Sequence, residues 1–401
     1  MAVRWFKSLF LHNKLNIMNY LTLFDQYKVP ELFGRYITLA HIEPLLQRWK
    51  TEYNLEIIGY SVESLPIYQF TIGTGKTRIL MWSQMHGNES TTTKALFDFL
   101  NLLHSQHPVA KNLLQDFTFC CLPMVNPDGA KLYTRENALK IDLNRDANLL
   151  TQPESKALRL AFDTFKPHYC YNLHDQRTIY GVGDSGKPAT ISFLAPSYNE
   201  LREINTHRAK AIDIIAAMNS ELQKIIPGQV GRFDDSFNIN CIGDTFQSLN
   251  VPTVLFEAGH FPNDYNREET RKFLFIALLS GFEFLSENVV VSNGMHEYLN
   301  IPQNKVNFYD LVYKNVKINY DSNKIITNFA AQYTEELVDE TIQFCANIVQ
   351  IDNLEDFFGH VEYNAKEAEL EAGNVNFPQI GQKADFNFSN NVKVVNGIVK
   401  N

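Results

Sequence analysis

Apolar positions fall into distinct textures along the chain. Residues 19 to about 50 place hydrophobic side chains at helical spacing and predict amphipathic helices. Leu55 to Tyr60 and Ile67 to Ile72 alternate and predict a hairpin pair of short strands, with Gly73, Gly75 and Lys76 as the following turn. Then come nearly continuous apolar runs at Ile79 to Met85, Phe117 to Val125, Tyr169 to Leu173 and Thr253 to Phe256. A strand without alternation is one covered on both faces. Behind the first run, Ala95, Leu96, Phe99, Leu100 and Leu103 return to a helical period, and long helices are expected at 200–225 and 266–285, the latter with acids in its first turn. Strand, loop and helix in repetition predict an α/β fold with a mostly parallel sheet between helices. From about residue 290 asparagine becomes frequent. Short alternating pieces follow at Ile325 to Tyr333, Phe344 to Ile351, Val361 to Leu370 and Val392 to Ile398, which predict a smaller, mainly β unit. The division is therefore 18–288 for the first domain and 289–401 for the second. Residues 1–17 form an N-terminal extension or the product of a misassigned start, since Met18 opens a more ordinary beginning.

Composition narrows the classes. A chain of 401 residues with 45% hydrophobic and 20% charged residues has the core-forming capacity that disordered proteins lack. The net charge of -9, from 36 basic against 45 acidic residues, argues against a phosphate backbone as partner, so nucleic acid is not expected. Apolar stretches such as Phe273 to Leu279 fall short of the roughly 18 residues that span a bilayer, and no membrane association is expected. The opening segment looks like a leader, but Lys7, His12, Asn13 and Lys14 interrupt it and no small-residue cleavage site follows, which points to the cytoplasm rather than export. The adjacent Cys120 and Cys121 should project to opposite faces of a strand and read as buried thiols in a reducing compartment. Oligomeric state is not legible.

Three of the apolar runs end in groups suited to metal chemistry. His86 and Glu89 follow the first, His174 ends the third, and Glu257 ends TVLF. Ligand crevices in open α/β sheets form at the carboxyl ends of strands, so these four side chains can converge although scattered in sequence. Two histidines and a carboxylate with one coordination position open make a catalytic zinc site, with one Zn²⁺ per chain. Glu257 is then the base for the water that the metal activates, and it returns the proton to the leaving amine. Each piece is weak alone: H-x-x-E recurs by chance, Asn126-Pro127-Asp128-Gly129 is by itself a turn, and FEAGH passes for a buried strand with an awkward acid. The conjunction carries the reading.

The segments IGYSVESLPIYQFTIG, ILMWSQMHGNE, VNPDG, TRENALKIDLNRDAN, NLHD and VLFEAGH, in this order, resemble the zinc metallocarboxypeptidase family over roughly residues 55 to 280, on a bacterial-type branch with H-G-N-E. The resemblance implies a central mixed, largely parallel eight-stranded sheet flanked by helices. It also implies His86, Glu89 and His174 as the ligands of one zinc ion, the set known from carboxypeptidase A, and Glu257 as general acid/base. Arg135 would polarise the scissile carbonyl from a dry, fixed position. Asn144 and Arg145 would bind the substrate's terminal carboxylate, with the Arg145 guanidinium buried against it. Asp142 would orient His86 by accepting its distal ring N–H. The implied activity is removal of a C-terminal amino acid from a peptide.

Three departures from the digestive members matter. Gly87-Asn88 stands where they carry a serine-arginine pair; the stretch from Glu89 to His174 is shorter; and NINCIGDTFQSLNVPT lacks the tyrosine that caps their substrate. Asp244 or Gln247 is the candidate lining of the specificity pocket, although an Asp in G-D-T is also an ordinary turn or cap. H-G-N-E also occurs among murein peptide amidases and N-acyl amino acid deacylases such as succinylglutamate desuccinylase, which often carry a β-rich C-terminal region. The substrate class is therefore a peptide or an acylated amino acid, in either case with a free carboxylate. A non-catalytic descendant would have lost a ligand or the base, and all four are present.

Overall fold

The apolar runs become the middle of one sheet. The structure, a computed structural model, describes residues 15, 17–51, 53–287, 293–320, 323–372 and 376–400. The extension expected at 1–17 and the boundary expected at 288/289 lie almost entirely outside the described residues. The strands of the first part are β1 (Asn54–Tyr60), β2 (Pro66–Gly73), β3 (Thr77–Ser83), β4 (Phe117–Leu122), β5 (Tyr169–Asp175), β6 (Tyr180–Val182), β7 (Ile191–Leu194), β8 (Val230–Arg232) and β9 (Thr253–Ala258). All but β6 form an eight-stranded sheet in the order β1-β2-β4-β3-β5-β9-β7-β8. β3 runs parallel to β4 and β5, β5 to β9, and β7 to β8, while β1–β2, β2–β4 and β7–β9 are antiparallel, so the sheet is mixed.

Helices cover both faces: α1 (Ile17–Tyr27), α2 (Leu39–Trp49), α3 (Thr91–Leu103), α4 (Pro108–Asp116), α5 (Pro127–Leu132), α6 (Pro153–Phe165), α7 (Thr206–Leu222), α8 (Ile242–Ser248), α9 (Glu268–Glu287) and α10 (Gly294–Leu299). The period-2 geometry of a strand sends alternate side chains to opposite faces. Ile79, Met81, Phe119, Cys121 and Tyr171 therefore join the core beneath α1, α3, α7 and α9. Leu80, Trp82, Cys120, Leu122 and Cys170 join a second core with Ala157, Leu158 and Phe162 of α6 and Phe246 of α8. Cys120 and Cys121 do face opposite ways.

The C-terminal region holds β10 (Asn304–Val306), β11 (Phe308–Tyr320), β12 (Asn323–Val338), β13 (Thr341–Asp352), β14 (Phe358–Asn364), β15 (Leu370–Glu371), β16 (Phe386–Phe388), β17 (Val392–Val395) and β18 (Ile398–Lys400). Two four-stranded sheets, β13-β12-β11-β14 and β15-β16-β17-β18, enclose a core of their own around Leu311, Tyr313, Phe329, Phe386 and Phe388. β10 pairs with β6 and so stitches this region to the first. No helix among the described residues is long and apolar enough to cross a membrane.

Four local expectations need correction. β3 and β4 stop before Met85 and Val125; just after β3, Gln84 adopts a left-handed φ of 49° and turns the chain. Asn126-Pro127-Asp128-Gly129 is a helix start rather than a free turn: the Asn126 side chain accepts from Gly129 N at 2.9 Å and caps α5, with Pro127 in its first turn. The piece Val361 to Leu370 is two strands, β14 and β15. β11, unread in the sequence, is the longest gap in the β expectation; its buried tyrosine and its lysines blur the alternation.

A buried ion pair fastens the N-terminal segment to the helical layer. Asp98 on α3 and Arg271 on α9 are both fully buried and meet bidentately at 2.6 Å. Asp98 also accepts from Val29 N at 2.7 Å, and Arg271 donates to Val29 O at 2.8 Å. Removing one partner strands the other's charge, at a typical cost of about 3–5 kcal/mol. Asp98→Ala should therefore lower the unfolding free energy by that order in a denaturant titration; a loss within about 0.5 kcal/mol, as at an ordinary surface site, would contradict this role.

Candidate active site

The loop after β3 is shaped by close approaches. Gln84 Nε2 donates to Ile37 O at 2.7 Å and to Gly87 O at 2.9 Å, holding the turn that delivers His86 and Glu89. Gly87 lies against the backbone of α5, where a Cβ would come within 1.9 Å of the Gly129 carbonyl carbon. Only glycine fits there, which gives the Gly in H-G-N-E a steric reason. Beyond the loop, Asp175 accepts from Thr91 N at 2.9 Å and Thr92 N at 3.1 Å at the start of α3, while its own N–H donates to Glu89 Oε2 at 3.1 Å. His174 arrives on β5 in register with Glu257 on the neighbouring parallel β9. Their side chains leave the sheet on one face, from backbones roughly 5 Å apart.

His86, Glu89 and His174 meet below the surface. His86 Nδ1 is 2.7 Å from Glu89 Oε1, His174 Nδ1 is 2.8 Å from Oε2, and the two ring nitrogens are 3.2 Å apart. One ligand atom from each lies within 4.8 Å of the others, and all three residues are buried. His86 Nε2 is 3.1 Å from Asp142 Oδ1. Protons on both Nδ1 atoms would set two N–H groups head to head. A single cation in their place satisfies both rings and the carboxylate, so this donor set fits a metal ion such as zinc.

The electrostatics follow the crowding. Burial disfavours a charge on His86, yet Glu89 and Asp142 outweigh it and raise its pKa. At His174 burial prevails and the pKa falls. Burial alone would raise Glu89, but the two imidazoles hold it well below the usual carboxylate range, and His86 and Arg135 do the same for Asp142. Glu257 goes the other way: burial first, then Glu89 and Asp175, push it well above an ordinary carboxylate against the pull of Arg135. Among the described residues its Oε2 has no hydrogen-bond partner.

Arg135 donates from Nε and Nη2 to Asp142 Oδ2 at 3.1 and 3.0 Å, and from Nη1 to Glu89 Oε1 at 3.2 Å. Asn144 N donates to Asp142 Oδ1 at 2.8 Å, and its side-chain oxygen accepts from Ile242 N at 2.9 Å. Arg145 donates to Asn144 O at 2.7 Å and lies 3.1 Å from Cys241 Sγ. Two expectations change here. Arg135 is fixed but not dry, with 41% of its side chain exposed. Arg145 is exposed rather than buried, and makes no ion pair among the described residues. Both sit on the loop that rims the site, not on the strands beneath it.

A cavity of about 750 Å³ gathers His86, Glu89, Arg135, Asn144, Arg145, His174 and Glu257 in its lining. Asp244 also lines it, but Gln247 does not: it is fully buried, with Oε1 accepting from Thr253 N at 2.9 Å. Sequence reasoning passed over Asp175, although it stands beside His174 in NLHD, and Asn172, whose buried side-chain amide has no partner among the described residues and faces the same cavity. It also gave no sign that Asp310, Gln332, Tyr333, Glu335 and Phe344 of the C-terminal region line the cavity, because no motif marks them.

Residues 39–172 match the zinc carboxypeptidase family. Carboxypeptidase 2 of Trichophyton rubrum is 29% identical over 100 residues, a segment that covers 25% of this chain and spans only 19% of that protein. Cytosolic carboxypeptidase 6 of Mus musculus is 28% identical over 152 residues, covering 33% of this chain and 28% of its own. Among solved structures, a metallo-carboxypeptidase from Burkholderia cenocepacia superposes with a TM-score of 0.51 at 17% identity, over 63% of this chain and 70% of its own. Carboxypeptidase A from Helicoverpa armigera does so with a TM-score of 0.50 at 15% identity, over 68% and 82%. The α/β architecture is thus that of carboxypeptidase-like folds.

If the His86, Glu89 and His174 cluster is the metal centre, the purified chain should carry about one zinc per molecule and His174→Ala should lose it. Elemental analysis of both proteins reads this directly. Full zinc content in the variant would mean the ligands lie elsewhere.

Proposed function

We propose that the chain is a zinc-dependent hydrolase that removes a C-terminal amino acid from a peptide through a metal-activated water, with residues 18–288 as its catalytic part and 289–401 as an accessory part. The observation that carries the reading is that Glu257 stands in register beside His174, with an unpartnered carboxylate oxygen, in the cavity that also holds His86 and Glu89. Zinc bound there would supply a Lewis acid and bring the pKa of water toward about 7.

The chain's own groups do the rest. Glu257 accepts the proton of the attacking water and hands it to the leaving amine; its raised proton affinity suits a group that must hold a proton between the two transfers. Arg135, clamped by Asp142, presents its remaining donor capacity to the cavity and steadies the oxyanion. Asp142 thereby orients two groups, His86 through Nε2 and Arg135 through two N–H bonds. Arg145, exposed and without an acid partner among the described residues, together with Asn144 receives the terminal carboxylate as a planar fork.

A second reading, an N-acyl amino acid deacylase or a murein peptide amidase, keeps the same metal, base and arginines. It is favoured by one observation: strands of the C-terminal region line the cavity, which suits a small substrate. N-acyl amino acids should be assayed beside peptides for that reason.

Glu257→Gln keeps the shape but cannot carry the proton, so kcat should drop by at least about 100-fold while zinc stays bound. An unchanged turnover number would remove Glu257 from the chemistry.

Carboxylate anchoring makes a separate forecast. A peptide with a free C-terminus should exceed its amide in kcat/KM by about tenfold to a hundredfold, the worth of a charge-assisted pair of roughly 1.5–3 kcal/mol. Arg145→Ala should abolish most of that ratio. Equal rates for acid and amide with the unaltered chain would exclude an exopeptidase.

A further inference from the structure

The cavity has a wall that the catalytic groups do not explain. Tyr265 comes from the loop before α9, Tyr333 from β12 and Phe344 from β13, and all three half-buried rings line the cavity that holds His86, Glu89 and His174. The rings touch one another: Tyr265 and Tyr333 have centroids 5.0 Å apart at 84°, Tyr265 and Phe344 5.3 Å apart at 57°, and Tyr333 and Phe344 6.0 Å apart at 73°. Two independent sets of bonds fix them in place. Asp310 accepts from the Tyr265 hydroxyl at 2.9 Å and from Tyr333 N at 2.9 Å, and the Gln332 amide reaches across to Thr178 Oγ1 at 2.7 Å. Glu335, directly opposite Phe344 in the β12–β13 register, pairs with the buried Arg35 at 3.0 Å and accepts from the hydroxyl of Tyr133, two residues before Arg135.

Three rings, tilted or edge-to-face to one another, that leave part of their surface to the cavity present an apolar slot, and ligand sites of a few hundred Å³ combine such a surface with a few polar anchors. Taking the function proposed above, Asn144 and Arg145 hold the carboxyl end of the substrate. Beyond their own loop, their hydrogen bonds run to Cys241 and Ile242 at the start of α8, a different part of the chain from the three rings. We infer that Tyr333 and Phe344 of the C-terminal region, with Tyr265, form a binding subsite for an aromatic or large apolar side chain on the acyl side of the scissile bond. The C-terminal region is then a specificity element of the active site and not only a packing partner.

Binding separates this inference from the hydrolytic reading. In the zinc-loaded Glu257→Gln protein, calorimetric titration should give N-acetyl-phenylalanyl-glycine a Kd at least about tenfold lower than N-acetyl-alanyl-glycine, or about 1.4 kcal/mol. Tyr333→Leu and Phe344→Leu, which keep apolar bulk and so the fold, should each narrow the ratio, and Phe344→Ala combined with Tyr333→Leu should bring it to about threefold or less. Equal affinities in the parent protein, no binding of either probe, or a ratio that survives the combined variant would overturn the subsite. Turnover of the same two probes by the chain with Glu257 intact reads the hydrolytic function independently: no cleavage with the binding ratio intact would defeat hydrolysis and leave the subsite standing.

Discussion

A buried carboxylate must have its charge offset by donors or cations around it, and Glu89, between two imidazoles and beside Arg135, is such a carboxylate. His86 and His174 face it with the same ring atom at 2.7 and 2.8 Å, and the site's other contacts converge on this arrangement. The Asp175 amide holds its second oxygen, Arg135 borders the first, and Asp142 ties His86 to Arg135. Burial raises the cost of each charge and at the same time strengthens each attraction, so losing one member leaves the others' charges poorly offset. Its geometry is inherited from the sheet. β3, β5 and β9 run parallel, and their carboxyl ends deliver the loop with His86 and Glu89, then His174, then Glu257, to one edge.

The same strands explain what the sequence made legible. Both faces of β3, β4 and β5 are buried, so these strands appear as unbroken apolar runs and the polar residues at their ends stand out sharply. His86, Glu89, His174 and Glu257 were visible for that reason, and the resemblance extended the reading to Asp142 and Arg135 in one continuous string. The exposure of Arg145 was not legible, because it depends on which loop crosses above the residue, and that is set by residues far away in the chain. Gly87 illustrates an intermediate case. Its departure from a serine was plain in the sequence, but the cause, contact with the backbone at Gly129, exists only once α5 has been placed.

The C-terminal region was legible as β structure from its alternation, but its place beside the site was not. Nothing in the strings around Tyr333 or Phe344 distinguishes a ring that faces a cavity from one that faces a core, since β12 serves both: Phe329 and Ala331 enter the local core while Glu335 reaches Arg35. The link between the two regions rests on long-range polar contacts, β6 with β10, Thr178 with Gln332 and Tyr265 with Asp310, none of which has a local pattern. A region of this kind can alter the shape of the cleft without touching His86, Glu89 or His174.

The proposed function requires that His86, Glu89 and His174 hold one catalytic zinc. X-ray absorption at the zinc edge of the purified chain tests it most directly. A zinc held by these three side chains should show a first coordination sphere of nitrogen and oxygen only, with about two imidazole nitrogens at roughly 2.0–2.1 Å and carboxylate or solvent oxygen at roughly 2.0–2.2 Å. A sulfur scatterer near about 2.3 Å, or a sphere without imidazole, would place the metal on other residues and contradict the account.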